Sequence, residues 1–205
     1  MIVVIDYGIG NLGSVTNSLS RLGIPNQISS NPGVIKTAQA VILPGVGAAR
    51  QGMKNLIDRN LDKLVVKEID KGKPFLGLCL GMQLLFETSE EGNIPCLGIF
   101  KGTVKKFRRE RKVPQIGWNN VKFVSQNQQI SKLFNGISDN SYFYFVNSYY
   151  CAPNDSSIVA GTSEYGERFA SVVAKNNVAG VQFHPEKSGQ VGFQLLKNFI
   201  KNYVN

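Results

Sequence analysis

Residues 75–83 read FLGLCLGMQ, and this stretch decides how the rest of the sequence is interpreted. Its first four residues form the short apolar run of a buried strand, and the residues from Leu80 onward have the spacing of an amphipathic helix. Cys79 stands between the two with a glycine two residues to either side, which is the layout of a nucleophile elbow that carries cysteine in place of serine. The helix N-terminus behind the sulfur favours its anionic, nucleophilic form.

A nucleophilic cysteine needs a base, and the sequence contains one histidine, His184, directly after the apolar run 178–183. Pro185 forces the chain out of the strand at this point, so the imidazole is expected at the strand end. Open α/β sheets gather their sites at the carboxyl ends of strands, where Cys79 is also expected. Glu186 is placed to hold the imidazole in one tautomer, as the third group of a triad.

A second glycine-containing turn, PGVG at residues 44–47, follows the apolar run 40–43. By itself it is an ordinary β-to-α turn. Beside a nucleophilic Cys79, however, its backbone amides and the N–H at the elbow would bind a developing oxyanion. Gln83, one helical turn after the elbow, is expected on the face toward Cys79. The candidate oxyanion donors are Gly45, Val46, Gly47 and Leu80.

Strand and helix patterns alternate in the first half of the sequence, and β patterns dominate the second half. We predict strands at 2–6, 27–29, 40–43 and 75–78, with helices after the first glycine turn and over 51–71 and 80–87. Later strands are predicted at 103–107, 121–124, 142–146, 158–160, 170–174 and 178–183, before a closing helix over 189–203. This order predicts one domain over residues 1–205 with an α/β fold, in which a three-layer arrangement holds a mixed, mainly parallel sheet with an antiparallel addition.

Length and composition exclude several classes of protein. The chain has 205 residues, 42% of them hydrophobic, and a net charge of +9, which favours a single soluble globular domain. The longest nearly apolar run, 75–86, is too short to span a membrane, and no basic segment precedes the run 2–5 as in a secretory signal, so we expect a cytoplasmic protein. Cys79, Cys96 and Cys151 are odd in number and widely spaced, which predicts neither a disulfide nor a metal site.

Residues 8–13 read GIGNLG and match the glycine pattern of dinucleotide-binding domains. That function also needs an acidic residue on the next strand for the ribose, and none occurs between Tyr7 and Ile57. We therefore interpret these glycines as a tight turn with close helix packing and expect no cofactor.

Most of the positive charge lies in one segment, residues 101–112, which has seven basic residues and one acidic residue. Such a stripe would allow nucleic-acid binding. Binding of single strands, however, favours interleaved aromatic residues, and only Phe107 is present. A solvated hairpin or a docking face for an acidic partner explains the segment better, and we expect no salt-dependent binding to DNA or RNA.

Three motifs occur in the order typical of one family: PGVG (44–47), GLCLGMQ (77–83) and QFHPEKS (182–188). They resemble the class I glutamine amidotransferases, which use Cys, His and Glu. IDYGIGNLGSV (5–15), VPQIGWN (113–119) and YFVNSYY (144–150) are similar, more narrowly, to the glutaminase subunits of imidazole glycerol phosphate synthase. The resemblance covers nearly the whole chain.

The resemblance implies a mechanism that agrees with the roles inferred above. Cys79 would attack the side-chain amide of glutamine, His184 would protonate the departing ammonia, and water would release glutamate from the thioester. Glu186 would orient His184. The residues expected to hold the glutamine are Gln83, Ser148 and Tyr149.

The same resemblance implies a partner. In this family the ammonia passes to a separate cyclase subunit with a (β/α)₈ barrel, within histidine biosynthesis, and the two chains form a heterodimer. Trp118, Tyr144 and Lys187 match positions at that interface. A glutaminase domain that occupies all 205 residues leaves no room for an ammonia acceptor in this chain.

Two residues depart from the family pattern. Gln115 and Asn147 stand where the family commonly has histidine, in the motifs around 113–119 and 144–150. Neither change removes a catalytic group. They leave open a paralogue whose ammonia feeds another synthase, for example one that amidinates a sugar for a surface polysaccharide.

Overall fold

The computed structural model describes residues 1–108, 112–124 and 130–204. Strands and helices alternate through the first half, in this order: β1 (Ile2–Ile5), α1 (Leu12–Arg21), β2 (Asn26–Ser29), α2 (Pro32–Thr37), β3 (Ala40–Leu43), α3 (Ala49–Asp58), α4 (Leu61–Asp70), β4 (Phe75–Leu78) and α5 (Leu80–Gln83).

The second half is rich in strands. Its elements are β5 (Phe86–Ser89), β6 (Ile94–Pro95), β7 (Phe100–Lys106), β8 (Gln115–Phe123), α6 (Ile130–Leu133), β9 (Ser141–Asn147), β10 (Tyr149–Pro153), β11 (Val159–Glu164), β12 (Arg168–Lys175), β13 (Val178–Val181) and α7 (Gly189–Phe199). Short 3₁₀ turns lie at Ser156–Ile158 and Pro185–Lys187, and Ile200–Val204 continues α7 as a π-helical turn.

One sheet holds most of these strands, in the order β2-β1-β3-β4-β13-β12-β10-β7-β5-β6. The first five strands pair in parallel. From β13 onward the pairing is antiparallel, apart from the parallel pair β5 and β7. Strand β8 joins through β11 and carries β9 as an antiparallel ribbon. The predicted fold class is confirmed: the sheet is mixed, with an antiparallel addition to a parallel half.

Helices cover both faces of the parallel half of the sheet, so the alternate residues of its strands are buried on opposite sides. Val3 and Ile5 pack on the side of α2, α3 and α4, whereas Ile2 and Val4 pack on the side of α1 and α7. All four residues of β1 are buried. The continuous apolar runs of the sequence are therefore strands with two buried faces, and the domain has three layers.

Two predicted helices end earlier than expected. The region 51–71 contains two helices, α3 and α4, because Asn60 between them takes a left-handed conformation with φ of 55°. Asparagine tolerates this region better than most residues, so the apolar periodicity continues across the break. The predicted helix 80–87 was also too long: α5 ends at Gln83, and Phe86 begins the strand β5.

The glycines of GIGNLG have separate roles. Gly8 and Gly10 have φ of 85° and 120° and form the expected tight turn between β1 and α1. The expected close packing was wrong at Gly13, since a Cβ there would meet no described atom within 4 Å other than those of its own helix and chain neighbours.

Within the residues that the structure describes, no helix is long and apolar enough to cross a bilayer.

The crowding at the elbow can be tested on stability. A Cβ at Gly81 would overlap the Leu43 backbone carbonyl oxygen, and backbone atoms cannot swing aside. We expect Gly81→Ala to lower the free energy of unfolding by about 1–3 kcal/mol, as overpacking does. Urea unfolding followed by circular dichroism measures this change.

Gly13→Ala is the matched control, because its added methyl meets open space in a helix. It should leave stability unchanged or raise it slightly, since alanine favours helix. Equal unfolding midpoints for Gly81→Ala and the wild-type protein would contradict the proposed crowding.

Candidate functional site

Cys79 occupies a sharp turn between β4 and α5. Its φ of 52° and ψ of −108° lie in a region that L-residues rarely adopt. The turn is enforced from both sides, since a Cβ at Gly77 would come within 2.7 Å of the Gly81 backbone, and the Cys79 N–H donates to the Val181 carbonyl at 2.8 Å. Strain of this kind persists only where the surroundings over-determine it, as at functional sites.

His184 follows β13 and is held on both of its sides. Its backbone N–H donates to the Tyr144 carbonyl at 2.9 Å, and its own carbonyl accepts from the Ser188 hydroxyl at 2.6 Å. The ring Nδ1 lies 2.9 Å from Glu186 Oε1. A carboxylate only accepts, so Nδ1 donates to Glu186, and Nε2 is the ring nitrogen left to hydrogen-bond with Cys79.

The charge state of His184 follows from its neighbours. Burial alone would lower the pKa of the imidazole, but the contacts with Cys79 and with Glu186 outweigh burial and raise that pKa to about 10. Both side chains of the ion pair are almost fully buried, at 4% and 2% exposure. At neutral pH the imidazole is therefore the positively charged, doubly protonated form, which is the form that a general acid needs.

The other two cysteines differ from Cys79 in their surroundings. Cys151 is enclosed in the core, and burial raises its pKa well above the usual thiol range. Burial, with a smaller effect of the Glu91 carboxylate, raises the pKa of Cys96 to about 12. Both thiols stay protonated at neutral pH, and neither faces the imidazole.

A cleft of about 440 Å³ opens in front of Cys79 and His184. The structure brings most of the predicted site residues to its walls, namely Val46, Gly47, Leu80, Gln83, Ser148, Tyr149 and Lys187. Gly45, Glu186, Trp118 and Tyr144 are not among the described residues that line this cleft.

The predicted oxyanion donors are not arranged around an open hole. The Leu80 N–H donates to the Gly45 carbonyl at 3.4 Å, so this amide is already occupied. Gly45 lies so close to the elbow that a Cβ on it would come within 2.7 Å of Leu80 Cβ. An oxyanion hole at this place therefore requires the Gly45 carbonyl to turn away from Leu80.

Two residues at the site were missed by the sequence analysis. Among the described residues that line the cleft, Glu91 is the one carboxylate, and its Oε2 accepts from the Ala49 N–H at 2.7 Å. Nothing in the sequence around residue 91 indicates this position. Gln182, fully buried, donates from Nε2 to Cys79 Sγ at 3.6 Å. It lies two residues before His184 in the same motif, and this position could have identified Gln182 as a residue of the site.

An aromatic surface lies on the outer face of the β8–β9 ribbon. Trp118 and Tyr144 are cross-strand partners whose rings are 6.0 Å apart, and Lys187 Nζ lies 6.0 Å from the Tyr144 ring centre. Trp118 is 56% exposed, and Ile116 and Tyr142 on the same face are more than half exposed. The three predicted interface residues therefore form one cluster that continues along the ribbon.

The two departures from the family pattern meet in the structure. Gln115 and Asn147 are opposite each other on β8 and β9, and both are buried. Gln115 Oε1 and Asn147 Oδ1 have no hydrogen-bond partner within the described residues. Gln115 and Asn147 therefore share one buried polar environment.

The described part of the basic segment forms an ion pair and hydrogen bonds with carboxylates. Lys101 Nζ lies 2.8 Å from Glu87, and the backbone N–H groups of Lys106 and Arg108 donate to Glu90 and Glu167. Residues 109–111 lie outside the described part of the chain. Across the described residues, no group of three or more His, Cys, Asp or Glu side chains is arranged to hold a metal ion.

This chain is similar to known proteins in sequence over almost its whole length. Residues 3–203 match the family described as glutamine amidotransferase class-I. The chain is 47% identical over 199 residues to imidazole glycerol phosphate synthase subunit HisH of Moorella thermoacetica, covering 97% of this chain and 93% of that protein. It is 45% identical over 202 residues to the subunit of the same name of Herpetosiphon aurantiacus, covering 98% and 94%.

Solved structures show the same fold at low identity. A crystal structure titled glutamine amidotransferase aligns with a TM-score of 0.76 at 19% identity and covers 99% of both chains. The PurLQS structure from Thermotoga maritima aligns with a TM-score of 0.74 at 17% identity, covering 98% of this chain and 97% of that one. With the family match and the full-length relatives, the conclusion is direct: the chain belongs to the class I glutamine amidotransferase family.

Proposed function

We propose that this chain is the glutaminase subunit of imidazole glycerol phosphate synthase, acting in the cytoplasm as one domain over residues 1–205. The observation that carries the proposal is the buried pair of His184 and Glu186, whose imidazole interacts with a cysteine on a strained elbow at the floor of a cleft. The full-length similarity to subunits named HisH supports the choice of synthase.

The reaction proceeds in two steps with Cys79 as the nucleophile. The sulfur attacks the side-chain carbonyl carbon of glutamine, a C–S bond forms, and the C–N bond breaks as His184 gives its proton to the leaving nitrogen. Water then attacks the thioester, its proton passes to His184, and the C–S bond breaks to release glutamate. Glu186 keeps the imidazole in the tautomer that both steps need.

The oxyanion is stabilised by backbone amides once the PGVG loop has moved. In the described conformation the Gly45 carbonyl occupies the Leu80 N–H, so the hole is incomplete in the isolated chain. We expect slow glutamine hydrolysis by this chain alone and faster hydrolysis when a liganded partner changes the loop.

Glutamine binds in the cleft that Gln83, Ser148 and Tyr149 line. Glu91 is the carboxylate available for the α-ammonium group of the substrate, because the other charged side chains among the described residues of the cleft wall, His184 and Lys187, are cationic.

The partner is the cyclase subunit, with a (β/α)₈ barrel, and it covers the aromatic surface of Trp118, Tyr144 and Lys187. Aromatic residues are enriched at protein interfaces, and more than half of the Trp118 surface is exposed in this chain. Ammonia released at Cys79 then passes directly to the second subunit.

A second candidate is a paralogue that supplies ammonia to another synthase, such as one that amidinates a sugar. The buried pair of Gln115 and Asn147 favours it, because both departures from the family pattern fall on facing positions and Asn147 lines the cleft in front of Cys79. Capture of the partner from native cells distinguishes the two: a cyclase supports the first candidate, and a sugar-modifying synthase supports the second.

The nucleophile can be identified by covalent labelling. An electrophilic glutamine analogue such as acivicin should add mass to the wild-type protein on Cys79 and leave Cys79→Ala unlabelled, because Cys96 and Cys151 stay protonated at neutral pH. Mass spectrometry of the digested protein locates the adduct. Labelling at Cys96 or Cys151 would falsify the assignment.

The proton on His184 can be followed directly, because the chain has one histidine. In the wild-type protein, NMR should show the His184 imidazole titrating near pH 10. In Glu186→Gln the same imidazole should titrate at lower pH, because loss of the neighbouring negative charge disfavours the imidazolium. Cys79→Ala should also titrate lower. An unchanged titration in both variants would disprove the coupled site.

The same shift has a defined effect on stability. Because the folded-state pKa of His184 lies above the unfolded value, its stabilising contribution is fully present below about pH 6.5 and is lost as the pH rises through about 10. The wild-type protein should therefore lose more stability across this range than His184→Asn, which urea unfolding at several pH values measures.

A further inference from the structure

Gln182 connects the nucleophile to the cleft wall through a fully buried amide. It follows β13 and has no exposed surface. Its Oε1 accepts from Gln83 Nε2 at 3.1 Å, and its Nε2 lies 3.6 Å from Cys79 Sγ. This contact with a reacting atom is separate from the contact that His184 makes.

The backbone fixes which end of the Gln182 amide faces the sulfur. Gln83 Nε2 lies 3.1 Å from the Tyr149 carbonyl, and a carbonyl can only accept. Gln83 must therefore present its NH₂ group to this carbonyl and, with the second hydrogen, to Gln182. The Gln182 oxygen is then the acceptor, so its NH₂ group is left to donate toward Cys79.

A donor in this position favours the anionic sulfur. Hydrogen bonds to the charged form of a group stabilise that form, and the stabilisation is larger where water is excluded. We propose that Gln182 is a positioning residue that holds the Cys79 sulfur in its reactive form and orientation, an inference that rests on the proposed glutaminase function. His184 takes the thiol proton, and Gln182 stabilises the charge that remains.

Several other titratable groups interact with Cys79 or share its cleft. His184 and, through it, Glu186 come from the segment after β13, Tyr7 comes from the end of β1, and Cys151 comes from β10. Glu91 and Lys187 line the same cleft. The test therefore changes Gln182 alone and leaves these groups in place.

The experiment measures the rate of Cys79 alkylation by iodoacetamide from about pH 5 to 10 in the full-length chain, with mass spectrometry to assign the site. Gln182→Met keeps the length of the side chain and removes the donor. We expect its alkylation midpoint to rise by about one pH unit, so that the rate falls about tenfold below the midpoint. Gln182→Glu keeps the acceptor for Gln83 but brings a carboxylate to the sulfur, and its midpoint should rise further.

Ser171→Ala is the matched control. Ser171 lies on β12, is fully buried, and its backbone carbonyl accepts from the Gln182 N–H at 2.9 Å. Its hydroxyl has no partner within the described residues, so its loss should not move the midpoint. A shift in both Gln182 variants with none in Ser171→Ala supports the proposal.

Two results would overturn the inference: unchanged midpoints in both Gln182 variants, or equal shifts in Ser171→Ala, which would indicate general loosening. If Gln182→Met fails to fold by circular dichroism, Gln182→Leu replaces it, because leucine also removes the donor without adding a charge beside the sulfur. Absence of selective Cys79 alkylation in the wild-type protein would instead count against the proposed glutaminase, so the two failures are distinguishable.

Discussion

Strands β4 and β13 lie side by side in parallel with Leu78 opposite Val181, and the rest of the site depends on this pairing. They are far apart in sequence, and each is followed within three residues by a side chain with reactive chemistry. Because parallel strands end at the same edge of a sheet, Cys79 and His184 emerge as neighbours. The hydrogen bond from the Cys79 N–H to the Val181 carbonyl extends the ladder by one residue and anchors the elbow.

The turn at Cys79 in turn leaves little space for side chains on the residues packed around it. At the turn around Cys79, a Cβ on Gly77 would come within 2.7 Å of the Gly81 backbone, and the Leu43 carbonyl fills the space beside Gly81. The strand β3 therefore supports the nucleophile as well as the PGVG loop that follows it. This close packing explains why Gly45 also approaches Leu80 and covers the amide that an oxyanion needs.

The antiparallel part of the sheet supplies the other walls. Tyr144 on β9 accepts from the His184 backbone, and the Tyr149 carbonyl on β10 orients Gln83 and, through it, Gln182. The outer face of the β8–β9 ribbon carries the exposed aromatic surface, while its inner face carries Gln115 and Asn147. One ribbon thus separates the nucleophile from the surface proposed to receive a partner.

The sequence by itself determined the fold class, the elbow at Cys79, the pairing of Cys79 with His184, and the loops around them, because these depend on local patterns and on the rule that parallel strands end together. Local patterns did not show the break at Asn60 or the early end of α5, since backbone conformation and tertiary packing decide where a periodic segment stops being helical. Only the tertiary structure showed that the Leu80 amide is occupied, that Glu91 reaches the cleft, and that Gln182 donates to the sulfur. Each of these depends on contacts between residues distant in sequence, and hydrogen-bond partners of that kind leave no periodic signal in the chain.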